Sequence, residues 1–286
     1  MKRQQFIQAK EEEIIHEFVK LYGEDQRERL EKNMREVIFL FPDSQVEDKE
    51  KALYFLCHHP QCFNSYPKTI AQDILRQPDY TFFYPLILKK HNQFVLQRLI
   101  IVHKEHETDA AILHELKHAL MTQLEIREQR NSLSFISLKT GLSITEHACD
   151  EVSMETEIYD RRKIFLLNEL LTEYDASYIT NQLHQYTEIF PDQQQVEPRY
   201  TWQHNFFELL NTCPEDILNY FRKLELMNPT LYLNRFADEI EWLNAILQPE
   251  NLEIPVQEPQ KQYFLKYINY KKGNHLYKMY PMSRTK

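Results

Sequence analysis

Glycine is nearly missing from this chain: 286 residues hold three, Gly23, Gly141 and Gly273. Phosphate cradles and dinucleotide fingerprints need clustered glycines for close backbone approach, so the nucleotide-dependent enzymes that use them are excluded. Cysteine is sparse as well. Cys57, Cys62, Cys149 and Cys213 are too few for a dense disulfide framework in a chain of this length, which suits a reducing compartment. Nowhere is there a run of about 20 apolar residues, the length a membrane span needs. The opening "MKRQQFIQAKEEEII" turns charged where a signal peptide would turn apolar. A soluble, cytoplasmic protein with no membrane partner is therefore expected. Lys and Arg are also in deficit, 34 against 43 Asp and Glu, for a formal net charge of −9. A nucleic-acid partner, which would favour a basic surplus, is not expected.

What remains is rich in charged and apolar residues in helical rhythm. From Phe6 to about Phe41 apolar positions recur at three- and four-residue spacing, broken near "YGED", and further helices are expected at "VEDKEKALYFLCHH" and "TIAQDILRQ". "YTFFYPLIL" and "QFVLQRLIIVH" are aromatic and β-branched, and they read as two antiparallel strands joined by a tight turn at "KKHN". Helix returns over "ETDAAILHELKHALMTQLEI", with Thr108 or Asp109 suited to cap it. "SLSFISL" and "VSMETEIYD" read as short strands broken at "KTGLS", and helix resumes at "KIFLLNELLTEYDASYITNQLHQ". Beyond it lie helical stretches at "TWQHNFFELLN", "PEDILNYFRKLELM" and "LYLNRFADEIEWLNAIL". The chain divides into a helical region 1–78, a mixed core 79–200, C-terminal helices 201–248, and a linker with a basic, aromatic tail 249–286. The fold class is α+β, predominantly helical, with a small antiparallel sheet.

Within "AAILHELKHAL" two histidines stand four residues apart, close to one helical turn, so His114 and His118 share a face and can reach one metal ion. Glu115 stands beside them. Zinc in a catalytic site takes three protein ligands and keeps the fourth position for water, and a nearby carboxylate can accept that water's proton. The bland alternative is an amphipathic helix with its charges in water. Apolar residues around most of the girth (Ala110, Ala111, Ile112, Leu113, Leu116, Ala119 and Leu120) argue against it, because buried imidazoles and carboxylates need partners.

A third ligand should come from another element, and "LLNELLTEYDA" offers it. Asn168-Glu169-Leu170-Leu171-Thr172-Glu173 fits every defined position of N-E-x-x-[ST]-[DE], and with H-E-x-x-H the chain resembles the gluzincin class of zinc metallopeptidases, the thermolysin-like group. The resemblance spans the hairpin before the first motif, both motif helices and the strands between them. It implies a zincin-like catalytic core in 79–200, Zn2+ held by His114, His118 and Glu169, and Glu173 as the carboxylate that holds a ligating histidine, His114. It further implies hydrolysis of a peptide or protein substrate with Glu115 as the proton acceptor. Glu169 and Glu173 are themselves four apart on one helical face, and a ligating histidine wants its other ring nitrogen bonded to a carboxylate. A zincin-like module that binds a partner protein without catalysis is the alternative reading.

The developing oxyanion needs a donor. Tyr200 and His204 in "EPRYTWQHNFF" are the first candidates, with His184 and Tyr186 competing. An extended substrate would pair with an exposed strand edge, for which "QFVLQRLIIVH" is the natural strand. Cys57, His58, His59 and Cys62 in "LCHHPQC" lack zinc-finger spacing and read as a helix end with buried cysteine. His103 and His106 read as exposed polar residues. The tail from Lys261 carries 7 Lys or Arg and no acid among many tyrosines, and "YFLKYINYKKGNHLYKMY" reads as a β-hairpin turning at "KKGN", not as a nucleic-acid surface.

Overall fold

The computed structural model describes residues 10–43, 45–57, 75, 81–90, 93–103, 109–128, 133–150, 156–162, 164–186 and 215–247, together with 262, 266 and 270. They form a mixed α+β fold. Helix α1 (Glu11–Tyr22) buries Ile14, Ile15, Phe18, Val19 and Tyr22 at the spacing of one helical face and ends at Gly23, whose φ is 102°. A short 3-10 turn leads into α2 (Arg27–Arg35). The expected helix does not continue to Phe41. Val37–Leu40 is strand β1, and its consecutive apolar, β-branched and aromatic side chains suit a strand covered on both sides.

Helix α3 (Val46–Cys57) follows, then strands β2 (Phe82–Lys90) and β3 (Gln93–Ile101), which pair antiparallel as expected. Strand β1 pairs parallel with Arg98–Ile101 of β3, so the order is β1-β3-β2 and the sheet is mixed rather than antiparallel. Strand β3 is therefore the middle strand, and the expectation that it offers a free edge to substrate fails along Arg98–Ile101. Strand β2 is the outer strand, and Pro85 within it carries the signal: lacking an N–H, proline is confined to sheet edges.

Helix α4 (Asp109–Met121) stops short of the expected Ile126, and β4 (Thr122–Glu128) begins at once. The cause is tertiary. Arg98 Nε donates to Ala119 O at 2.9 Å, Arg98 Nη2 to Thr122 O at 3.0 Å, and Asn33 Nδ2 to Leu120 O at 2.8 Å. Carbonyls that would have continued the helix are thus occupied. Strands β5 (Leu133–Thr140), β6 (Ser143–Asp150) and β7 (Thr156–Arg162) complete a second, four-stranded antiparallel sheet in the order β4-β5-β6-β7. Strand β6 falls between the two strands expected from the sequence; its core pattern is interrupted by Glu146 and His147, both buried.

Helix α5 (Phe165–Tyr186) lies where expected, and α6 (Glu215–Leu226), α7 (Pro229–Arg235) and α8 (Ala237–Leu247) follow. One apolar cluster joins α1, α2, β1, β3, α4 and α5; another joins α5 to α6, α7 and α8. Helix α5 thus belongs to both clusters and packs against α4. The regions expected as helices at "TIAQDILRQ", apart from Leu75, and at "TWQHNFFELLN" lie outside the described residues. In the tail Gln262, Lys266 and Tyr270 have helical backbone and exposed side chains, and the rest of the stretch expected as a hairpin lies outside the described residues. No helix of the described residues is long and apolar enough to cross a membrane.

Candidate metal centre

Helix α4 is fixed by burial of Ile112, Leu113, Leu116, Ala119 and Leu120, and α5 by burial of Leu166, Leu167, Leu170 and Leu171. The first turn of α5 is satisfied from outside, since Leu167 N–H donates to Asn244 Oδ1 at 2.9 Å. Asn168 Oδ1 accepts from Leu142 N–H at 2.8 Å and docks the turn between β5 and β6 onto the same helix. Gly141 in that turn has φ +57°, and a Cβ there would stand 2.1 Å from Asn168 Oδ1.

These placements bring together the three residues expected as ligands. His114 Nε2 and His118 Nε2 are 3.2 Å apart, His114 Nε2 lies 3.1 Å from Glu169 Oε2, and His118 Nε2 lies 3.3 Å from Glu169 Oε1. The ring centroids are 4.8 Å apart at 73°. Donor atoms about 2.0–2.1 Å from a tetrahedral zinc ion stand about 3.3 Å from one another, so the three separations match one triangular face of such a site. Two ring nitrogens and a carboxylate are also the donor set that zinc favours. Among the described residues no other group of three or more His, Cys, Asp or Glu meets in this way.

His114 Nδ1 donates to Glu173 Oε2 at 2.7 Å, which fixes the ring orientation and aims Nε2 at the centre. Glu115, one residue on, projects beside the histidines, and its Oε2 accepts from Phe83 N–H of strand β2 at 2.9 Å. Phe83 was not legible as a site contributor from the sequence, because it acts through its backbone.

Electrostatics follow from this geometry. Burial alone would depress the His114 imidazole, but hydrogen bonds to Glu169 and Glu173 outweigh it and raise the pKa to about 10. Burial pushes Glu169 up, yet His118 and His114 hold its carboxyl well below the usual range. Glu115 is raised, chiefly by burial, against the opposing pull of both imidazoles and of the Phe83 N–H. The centre is therefore an anionic carboxylate facing imidazoles, beside a second carboxylate biased toward accepting a proton.

Tyr200 and His204 lie outside the described residues, as do the side chains of His184, Tyr186 and Cys57 and the whole of His58, His59, Cys62 and His106. His103 is described and corrects the reading of it as exposed: it is fully buried, with Nδ1 3.0 Å from Asp43 Oδ2. Sequence reasoning passed over Lys117, buried between the two motif histidines. The signal was a lone lysine in a helix apolar on most sides, which demands a buried anionic partner.

Comparison with protein-family models, with curated proteins and with solved structures gives no match to this chain.

Proposed function

We propose that this protein is a zinc-dependent metallopeptidase with a zincin-like, gluzincin-type centre acting on a peptide or protein substrate. The observation that carries the reading is the convergence of His114 Nε2, His118 Nε2 and the Glu169 carboxylate at 3.1–3.3 Å beside the carboxylate of Glu115. When bound, zinc supplies a Lewis acid that polarises a carbonyl and acidifies a water in the remaining position. Glu115 takes the proton from the attacking water and delivers it to the amine nitrogen as the C–N bond breaks. Its elevated pKa favours the first transfer, and the Phe83 N–H holds one carboxylate oxygen while the other serves the proton. Glu173 keeps His114 in the tautomer that ligation requires. A cytoplasmic location belongs to the same proposal and rests on the few cysteines, of which Cys149 is a buried free thiol.

The test joins metal analysis to turnover. One zinc per chain should co-purify, and the zinc-loaded protein should cleave members of a broad peptide library. Glu115→Gln should keep zinc and fold but lose at least about 100-fold in turnover, since glutamine cannot accept the proton. Equal turnover by both proteins would remove Glu115 from the mechanism. Zinc uptake without any cleavage would overturn the peptidase assignment.

A further inference from the structure

Helices α4 and α5 meet along two seams, of which the metal centre is one. The other lies about 60–100° further round α4 from the histidines, where Lys117 is fully buried. Its Nζ donates to Leu171 O at 2.8 Å and to Asp175 Oδ2 at 2.8 Å, both on α5, and stands 3.2 Å from Glu225 Oε1 on α6. Two of the ammonium protons are hydrogen-bonded to α5, and the Glu225 carboxylate lies within ion-pair distance. The anchor is itself held: Asp175 Oδ1 accepts from Arg222 Nη2 at 2.9 Å, and Tyr22 Oη donates to Glu225 Oε2 at 2.6 Å while standing 3.0 Å from Asp175 Oδ2.

A buried ion cluster is a poor device for stability, because desolvation consumes most of the attraction and apolar side chains of equal volume do as well. What it supplies is one fixed geometry. Lys117 occupies a position inside the first motif, and its acceptor Leu171 O lies two residues from Glu169. Any sliding or rotation of α5 against α4 would break the Lys117 bonds and carry Glu169 away from the histidines together. We infer that Lys117 is a positioning residue for the metal centre, clamping α5 to α4 so that Glu169 completes the ligand set.

The inference rests on the zinc reading, and its test separates the two. The full-length chain is titrated with Zn2+ against a competing chelator and with Co2+, whose visible absorption reports coordination geometry. Lys117→Met alone takes the ammonium from between the buried carboxylates of Asp175 and Glu225 and risks unfolding. Lys117→Met/Asp175→Leu removes one charge of each sign from the cluster. Asp175→Asn is a gentler second variant: aspartate offers two acceptor oxygens, one to Lys117 and one to Arg222, whereas asparagine has one. Leu56→Ala, in the apolar cluster of α3, β1, β2 and β3, is the control that costs stability without touching either seam.

The folded double variant should bind Zn2+ about 10–100-fold more weakly, as when support of a ligand is lost, with an altered Co2+ spectrum. Asp175→Asn should move both in the same direction by less, and Leu56→Ala should move neither. Native Zn2+ affinity and a native Co2+ spectrum in the folded variants would overturn the inference and leave the zinc reading intact; should the double variant not fold, Asp175→Asn decides alone. An equal loss in Leu56→Ala would also overturn it, because affinity would then merely follow stability. Failure of the unaltered chain to take up either metal would overturn the zinc reading and the inference with it.

Discussion

Zinc uptake should be coupled to proton release, and His114 sets the size of the effect. In the metal-free centre its pKa stands at about 10, so at pH 7 the imidazole is almost wholly protonated. A metal ion must displace that proton. Glu169 is held anionic well below neutrality and contributes none. Three pH units separate neutrality from the His114 pKa, which makes the displacement cost about 4 kcal/mol at pH 7, or about a thousandfold in apparent affinity. Zinc affinity should therefore climb about tenfold per pH unit between pH 6.5 and 8.5, with roughly one proton released per ion from this group. Calorimetric titrations in buffers of different ionisation enthalpy give the proton count, and chelator competition gives the slope. In Glu173→Gln the Nδ1 partner loses its charge, so the His114 pKa falls and the slope at the alkaline end should flatten. The same linkage acts on the metal-free fold. The folded pKa of His114 lies above its ordinary 6.5, so this stabilisation is complete below pH 6.5 and is lost as pH rises toward 10. A zinc affinity independent of pH between 7 and 8.5 would refute the placement of a protonated His114 at the centre.

Glu169→Ala should strip most of the zinc, because one of three protein ligands is gone. Glu173→Ala should lower affinity by about 10–100-fold only, measured by chelator competition; the reverse ranking would mean that the two carboxylates have exchanged roles. Gly141→Ala should destabilise by about 2–4 kcal/mol in denaturant titration, since alanine pays for φ +57° and its Cβ evicts Asn168 Oδ1 from the Leu142 N–H. A change below about 0.5 kcal/mol would show that Asn168 docks the β5–β6 turn only loosely. As the turn lies beside α5, the same variant should also weaken zinc binding.

Both motif helices were legible in the sequence, because each is a leucine-rich run of more than ten residues without Gly or Pro and the histidine and glutamate pairs each fall one turn apart. The β2–β3 hairpin was legible for a similar local reason, its β-branched and aromatic runs. Where the reading failed, the deciding contact came from a remote segment. The end of α4 is set by Arg98 and Asn33 reaching its last carbonyls, and nothing within "KHALMTQLEI" announces it. Strand β1 exists because β3 lies beside it, and "EVIFL" alone continues a helical pattern equally well. Pro85 could have told the edge strand from the middle one.

The sequence by itself determined which side chains are available for chemistry, on which helical faces they stand, and that Glu115 and Glu173 accompany the three ligand types. Only the tertiary structure decided that those faces meet with donor atoms 3.1–3.3 Å apart, that Phe83 holds Glu115, and that Lys117 ties the two helices together beneath the centre. The physical reason is range. Periodicity records which face of a segment is buried, whereas the distance between two faces depends on hydrogen bonds and ion pairs between residues up to 203 positions apart, as for Tyr22 and Glu225, and no local pattern carries that information.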